Sequence, residues 1–159
     1  MSRPDRAGVL AALRAALASD LAALESVSAA TRDEVGSAET KSEGKYDTRS
    51  TEASYLARGQ AWRVVELRRN LAWTEAFDVA RAPSAQVQLG SLVRLLGTRE
   101  EWVLVTPFGG TTLRLPEHIV RVISPDSPLG KELIELEEGD AFEFESPRGA
   151  LTFEVGQVG

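Results

Sequence analysis

Few of the 159 residues are of a type that can do chemistry. There is no cysteine, which excludes disulfides and thiolate metal sites and gives no sign of an oxidising compartment. His118 is the only histidine; it sits in Pro116-Glu117-His118 without an acid–histidine pattern, so a loop role is expected rather than catalysis or ligation. Nucleophile-elbow, phosphate-loop and dinucleotide patterns do not occur. What remains is a run of acids: Glu39, Glu43, Asp47 and Glu52. Carboxylates on a loop can converge on a hard cation, but Lys41 and Lys45 are interleaved and weaken the local negative field. Asp47 and Glu52 equally suit a helix N-terminus, where the macrodipole favours negative charge.

Two long helices would have to hold these acids. Over residues 5–35, Leu10, Leu13, Leu17, Leu21 and Leu24 recur at three- and four-residue steps and form one stripe among alanines. Pro4 suits the first turn of this helix. From about Thr48 to Val79 a second stripe joins Leu56, Gln60, Val64, Leu67, Leu71 and Thr74, with Tyr55, Trp62 and Trp73 at its edges. Asp47 or Thr48 can cap it and Pro83 stops it. Tyr55 and Trp62 are expected to pack within the helical pair. Two such stripes bury each other when the helices fold antiparallel, and the polar link Gly36–Tyr46 becomes an exposed tip.

After Pro83 the pattern shortens to strands. Val87–Leu96 and Trp102–Pro107 precede a Gly109-Gly110 turn, and Leu113–Leu115 and His118–Ile123 follow. Ser127–Leu136 reads as one short helix, with Ser124, Ser127 and Pro128 supplying turn and cap chemistry. Ala141–Glu145 and Ala150–Val155 form a hairpin around Pro147-Arg148-Gly149, with Phe142, Phe144 and Phe153 as packing groups. Strands around one helix make an α+β arrangement. The expected division is a hairpin over 1–82, with its tip near 36–50, and a sheet domain over 83–159.

A net charge of -6 argues against a protein that grips nucleic acid mainly through phosphates. The charge is uneven. Residues 58–81 carry Arg58, Arg63, Arg68, Arg69 and Arg81 against three acids, whereas 132–145 carry seven acids and no base, which suggests an oriented partner surface. The start Met1-Ser2-Arg3-Pro4 leads into a helix studded with Arg14, Asp20 and Glu25, unlike a secretory signal, and no stretch is expected to supply the ~20 apolar residues of a membrane span. A cytoplasmic location without membrane contact is expected.

Ile123-Ser124-Pro125-Asp126-Ser127-Pro128-Leu129-Gly130-Lys131, Glu138-Gly139-Asp140 and Pro147-Arg148-Gly149 together resemble the C-terminal domain of the Gre transcription elongation factors. The resemblance covers residues 85–158 and implies an FKBP-like antiparallel sheet domain with one short helix, behind an antiparallel coiled-coil hairpin. It implies a partner, bacterial RNA polymerase, with the sheet domain at the rim of the secondary channel and the hairpin entering it. Asp126, Ser127 and Pro128 are the implied rim contacts. Arg58 and Arg63 would face the channel or nascent RNA. The chain is expected to act as a monomer with no cofactor of its own, Mg²⁺ being shared at the polymerase active site.

The resemblance departs at the tip. Gre cleavage factors carry Gly-Asp-x-x-Glu-Asn-Ala-Glu-Tyr there, whose two acids help bind a second Mg²⁺ and activate water against backtracked RNA. This chain reads Asp47-Thr48-Arg49-Ser50-Thr51-Glu52-Ala53-Ser54-Tyr55. Aligned on Ala53 and Tyr55, it has Thr48 and Thr51 at the acid positions. Asp47 and Glu52 lie one residue outside them, and with Glu43 they are the substitutes for a catalytic and metal-binding role. Polymerase binding without cleavage is the expectation, and stimulation of Mg²⁺-dependent cleavage the alternative. A third reading, a peptidyl-prolyl isomerase, would require Trp102, Phe108 and Phe142 to line one pocket.

Overall fold

The computed structural model describes the backbone of residues 2–41 and 47–159, and their side chains apart from 28 and 31–50. The chain forms two compact units: Arg14–Glu75, and Met1–Leu13 together with Ala76–Gly159. The sequence-based boundary at 82/83 assigns the first thirteen residues and 76–82 to the hairpin. In the structure both segments group with the sheet.

The first unit contains most of α1 (Arg6–Lys41) and α2 (Asp47–Ala76). α1 runs past Gly36, so the expected link is shorter than Gly36–Tyr46. Ala38, Glu39 and Lys41 are good helix formers and prolong it. Residues 42–46, Glu43 among them, lie outside the described residues. The helices are antiparallel: Arg14 donates to the Thr74 carbonyl at 2.8 Å, and Arg68 pairs with Glu25 at 2.6 Å. Leu17, Val64, Leu67 and Thr74 are buried in this unit, with Leu21, Leu24, Gln60 and Leu71 half-buried.

Leu56, Tyr55 and Trp62 depart from expectation, at 56%, 63% and 70% exposure. α1 has no leucine after Leu24, so its apolar stripe thins toward the C-terminal end. Arg6–Val27 is also long and apolar enough, by length and composition, to cross a membrane. Alanine raises the average there without adding bulk, so this stretch departs from the expectation of no membrane-length apolar run.

In the second unit Asp5 caps α1, its carboxylate accepting from Gly8 N at 3.0 Å. Pro4 therefore precedes the cap and stands outside the first turn. The Arg6 guanidinium donates to the carbonyls of Val79 (3.0 Å) and Arg81, past the end of α2. β1 (Leu92–Leu96), β2 (Glu100–Val105), β3 (Thr111–Arg114), β4 (Ile119–Ile123), α3 (Pro128–Leu133), β5 (Ala141–Ser146) and β6 (Gly149–Val158) follow. Their sheet order is β3-β4-β2-β1-β6-β5. β2 and β4 are parallel, with Trp102 opposite Val120 and Val105 opposite Ile123. The sheet is mixed, a correction to the antiparallel expectation. β3 passes beyond β4 to the edge and leaves room for β4 to return beside β2.

Strand β2 is apolar on both faces. Val103 and Val105 join Val93, Leu95, Phe153, Val155, Leu129 and Leu133 in the core under α3. Trp102 and Leu104 point the other way and are buried with Leu92, Leu113 and Val120. Pro4, Val9, Leu10 and Leu13, at the start of α1, are further buried groups of this unit. β1 begins at Leu92, not Val87, because Gly90 at φ 88° turns the chain and the Phe77 ring occupies the space of its missing Cβ. Val87 pairs instead with the strand-like return after α3, its N–H donating to the Leu136 carbonyl at 2.8 Å. Between β1 and β6 the pairing shifts from Arg94–Gln157 to Leu95–Val155, a bulge at Gly156.

Arg94 and Glu100 lie diagonally across the β1–β2 hairpin, 2.7 Å apart. The hydrogen bond from Arg94 holds the Glu100 carboxyl below the usual range, outweighing the opposing effect of desolvation. A depressed carboxylate pKa stabilises the fold above the unfolded value, and that contribution is lost as pH falls through the folded one. Arg94→Gln should therefore raise the Glu100 titration midpoint by NMR. The stability gap between wild type and Arg94→Gln in urea should be constant near neutral pH and close in acid.

Candidate functional site

The turn into α3 collects the residues that the sequence singled out. Ser127, extended at φ -68° and ψ 155°, is the N-cap. Its hydroxyl accepts from Gly130 N at 3.0 Å and donates to the Ser124 carbonyl at 2.6 Å. Pro128 takes the first helical position, where its missing N–H costs nothing. Leu129 and Leu133 bury the inner side of the helix, while Asp126 and Pro128 remain exposed. Asp126, Ser127 and Pro128 thus form one small outward-facing corner over an apolar base.

Sequence reasoning passed over the role of Gly130. A Cβ there would overlap the Ser124 carbonyl, so the close approach that lets Ser127 bridge both residues requires glycine. The spacing Ser127-x-x-Gly130, cap to third helical residue, is the signal that identifies it. The helix is also shorter than Ser127–Leu136. Ile134 is its C-cap and Glu135 adopts φ 70°, which turns Leu136 back toward Val87.

The other candidates are not brought together. Asp47 and Glu52 occupy one continuous helix, five steps of about 100° apart, so their positions diverge by roughly 140° around its axis. No group of three or more potential metal ligands occurs among the described residues. Glu52 is exposed. Arg58 and Arg63 are likewise five positions apart on different sides of α2; Arg58 lies 4.7 Å over the Tyr55 ring and Arg63 pairs with Glu66 at 2.7 Å. His118 stands edge-on to Trp102 with ring centroids 6.2 Å apart, a packing contact.

Two of the three rings of an isomerase pocket lie apart. Phe142 on β5 stacks against Phe153 at 5.7 Å on the core side, whereas Trp102, three strands away, belongs to the opposite face. A cavity of about 360 Å³ in this unit is lined by Arg99, Glu101, Arg148 and Phe153 among others, and by none of those three rings.

The family profile described as "Transcription elongation factor, GreA/GreB, C-term" matches residues 82–159, which contain the α3 corner and the whole sheet. These residues are similar to the C-terminal domain of the GreA/GreB family. The transcription elongation factor GreA of a Nitratiruptor species is 38% identical over 96 residues, 60% of this chain and 58% of the relative. GreA of Bartonella tribocorum is 32% identical over 98 residues, 60% of each. The chain thus spans about 60% of the length of the curated relatives it matches. Among solved structures, GreA factor homolog 1 (Gfh1) of Thermus thermophilus is similar at a TM-score of 0.40 and 21% identity, over 92% of this chain and 94% of that one.

In this sheet unit, Ser127→Ala should cost about 1 kcal/mol through loss of the cap. Gly130→Ala should cost about 2 kcal/mol or more, since backbone must move to admit the methyl group. Urea unfolding of both variants checks the order.

Proposed function

We propose that the chain is a transcription factor that binds bacterial RNA polymerase and acts through its secondary channel, modulating elongation or initiation without supporting transcript cleavage. The observation that carries this reading is the GreA/GreB match over residues 82–159, joined to a hairpin that has Thr48 and Thr51 where the resemblance calls for acids. The corner at Asp126, Ser127 and Pro128 is the rim contact in this reading. It is rigid, since Ser127 is held through two hydrogen bonds, and it presents one exposed carboxylate to a basic counterpart. The hairpin enters the channel, as Arg58 and Arg63 approach RNA or the channel wall. Such a role places the protein in the cytoplasm.

Threonine hydroxyls are neutral and bind Mg²⁺ far more weakly than carboxylates. A tip of this kind occupies space near the polymerase metal without adding charge to hold a second ion. The protein would compete with cleavage factors for the same channel and leave backtracked complexes intact.

The 159-residue chain should co-elute with core polymerase and displace a cleavage-competent Gre factor, and Asp126→Arg should weaken that binding at least about tenfold. Added to stalled complexes with Mg²⁺, it should yield no shortened transcripts. Shortened transcripts that disappear with Asp47→Ala or Glu52→Ala would instead assign the displaced acids a catalytic role, and absence of binding at micromolar concentration would remove the proposal.

A further inference from the structure

α2 carries a second stripe that its pairing with α1 does not use. At about 100° per residue, Tyr55, Arg58, Trp62, Val65, Glu66 and Arg69 fall within one sector, opposite the buried Val64 and Leu67. Trp62, Tyr55 and Val65 are each about half or more exposed. A tryptophan left in water is a large apolar surface, and Trp, Tyr and Arg are the residue types that dominate buried protein interfaces.

The order of residues along this stripe identifies what covers it. Counted outward from Trp62, a base lies four positions before (Arg58) and an acid four after (Glu66). A ring lies seven before (Tyr55) and a base seven after (Arg69). Three before stands Gly59, with nothing within 4 Å of the place its Cβ would take, and three after stands Val65. Each group finds its complement at the mirrored position. That is the property of a self-complementary surface, on which residue i meets j and j meets i.

We propose that a second copy of this chain covers the stripe, the two α2 helices lying antiparallel across a twofold axis at Trp62. The Trp62 rings then stack at the centre. Arg58 pairs with Glu66 of the other copy on both sides, Tyr55 receives Arg69 over its ring, and Val65 fills the space beside Gly59. The contacts these groups make in the single chain, Arg63 to Glu66 and Arg58 to Tyr55, are exposed and weakly held, so they rearrange at little cost. Where the polymerase-binding reading holds, the dimer and the polymerase-bound form exclude one another, because both engage the hairpin. The dimer itself does not depend on that reading.

The test uses the 159-residue chain without polymerase, so its failure is distinct from failure of polymerase binding. Sedimentation equilibrium should show the mass rising toward twice the monomer with concentration. Arg58→Glu and Glu66→Arg should each weaken association at least about tenfold, and the double reversal should restore it. In this cysteine-free chain, Trp62→Cys should cross-link to itself under copper–phenanthroline much faster than Thr112→Cys, an exposed position on β3. Circular dichroism verifies that the variants fold. A constant monomer mass, equal cross-linking of the two cysteine variants, or a double reversal that does not restore association would each overturn the proposal. So would a shift in tryptophan emission that follows added RNA or core polymerase but not protein concentration, since another occupant would then hold the stripe.

Discussion

The sheet unit depends on one constraint: its central strands are apolar on both faces. Val103 and Val105 on one side and Trp102 and Leu104 on the other cannot all be sheltered by a single layer. α3 is a six-residue helix and covers only the first side, through Leu129 and Leu133. The second side needs cover from elsewhere in the chain. The buried Pro4, Val9, Leu10 and Leu13 belong to the same compact unit, and the Arg6 bonds to the Val79 and Arg81 carbonyls fasten the start of α1 to the segment leading into the sheet. Burial of each leucine or valine is worth roughly 1.5–3 kcal/mol, which is why the start of α1 joins the sheet unit although it is continuous with a helix of the other.

The same constraint explains how far the fold was legible in the sequence. Periodicity located both long helices, the strand runs and the last hairpin, because each has an apolar face of the right period. Strand direction is not encoded in that period. Val120 and Val122 alternate identically whether β4 runs with or against β2, so the parallel pair came only with the structure. The regular leucine stripe of α1 also concealed a change of partner: Leu13 and Leu17 look equivalent in sequence, yet they belong to different units. Trp62 and Tyr55 are large apolar residues close to the seam in sequence, yet their angular position lies on the far side of the helix.

At the α3 corner, local chemistry carried the reading. A serine before proline, followed by an apolar residue and glycine, states a cap, a first turn and a close approach in four residues, and α3 has all three. Such a motif depends only on backbone geometry within one turn, so nothing distant can override it. The hairpin tip lacks this self-sufficiency. Its chemistry depends on which sides of a helix the acids occupy.

Helical geometry therefore separates two kinds of departure at the tip. Displacing an acid by three or four positions keeps it on the same ridge, where it can still serve the same ion. Displacing it by one swings it about 100° around the axis. Asp47 and Glu52 are displaced by one residue in opposite directions relative to Thr48 and Thr51, so the separation grows from three positions, which share a ridge, to five, which do not. Since α2 is helical from Asp47 onward, no local rearrangement within the described helix restores the ridge. For two carboxylates on one helix, convergence on an ion depends on this spacing rather than on their count.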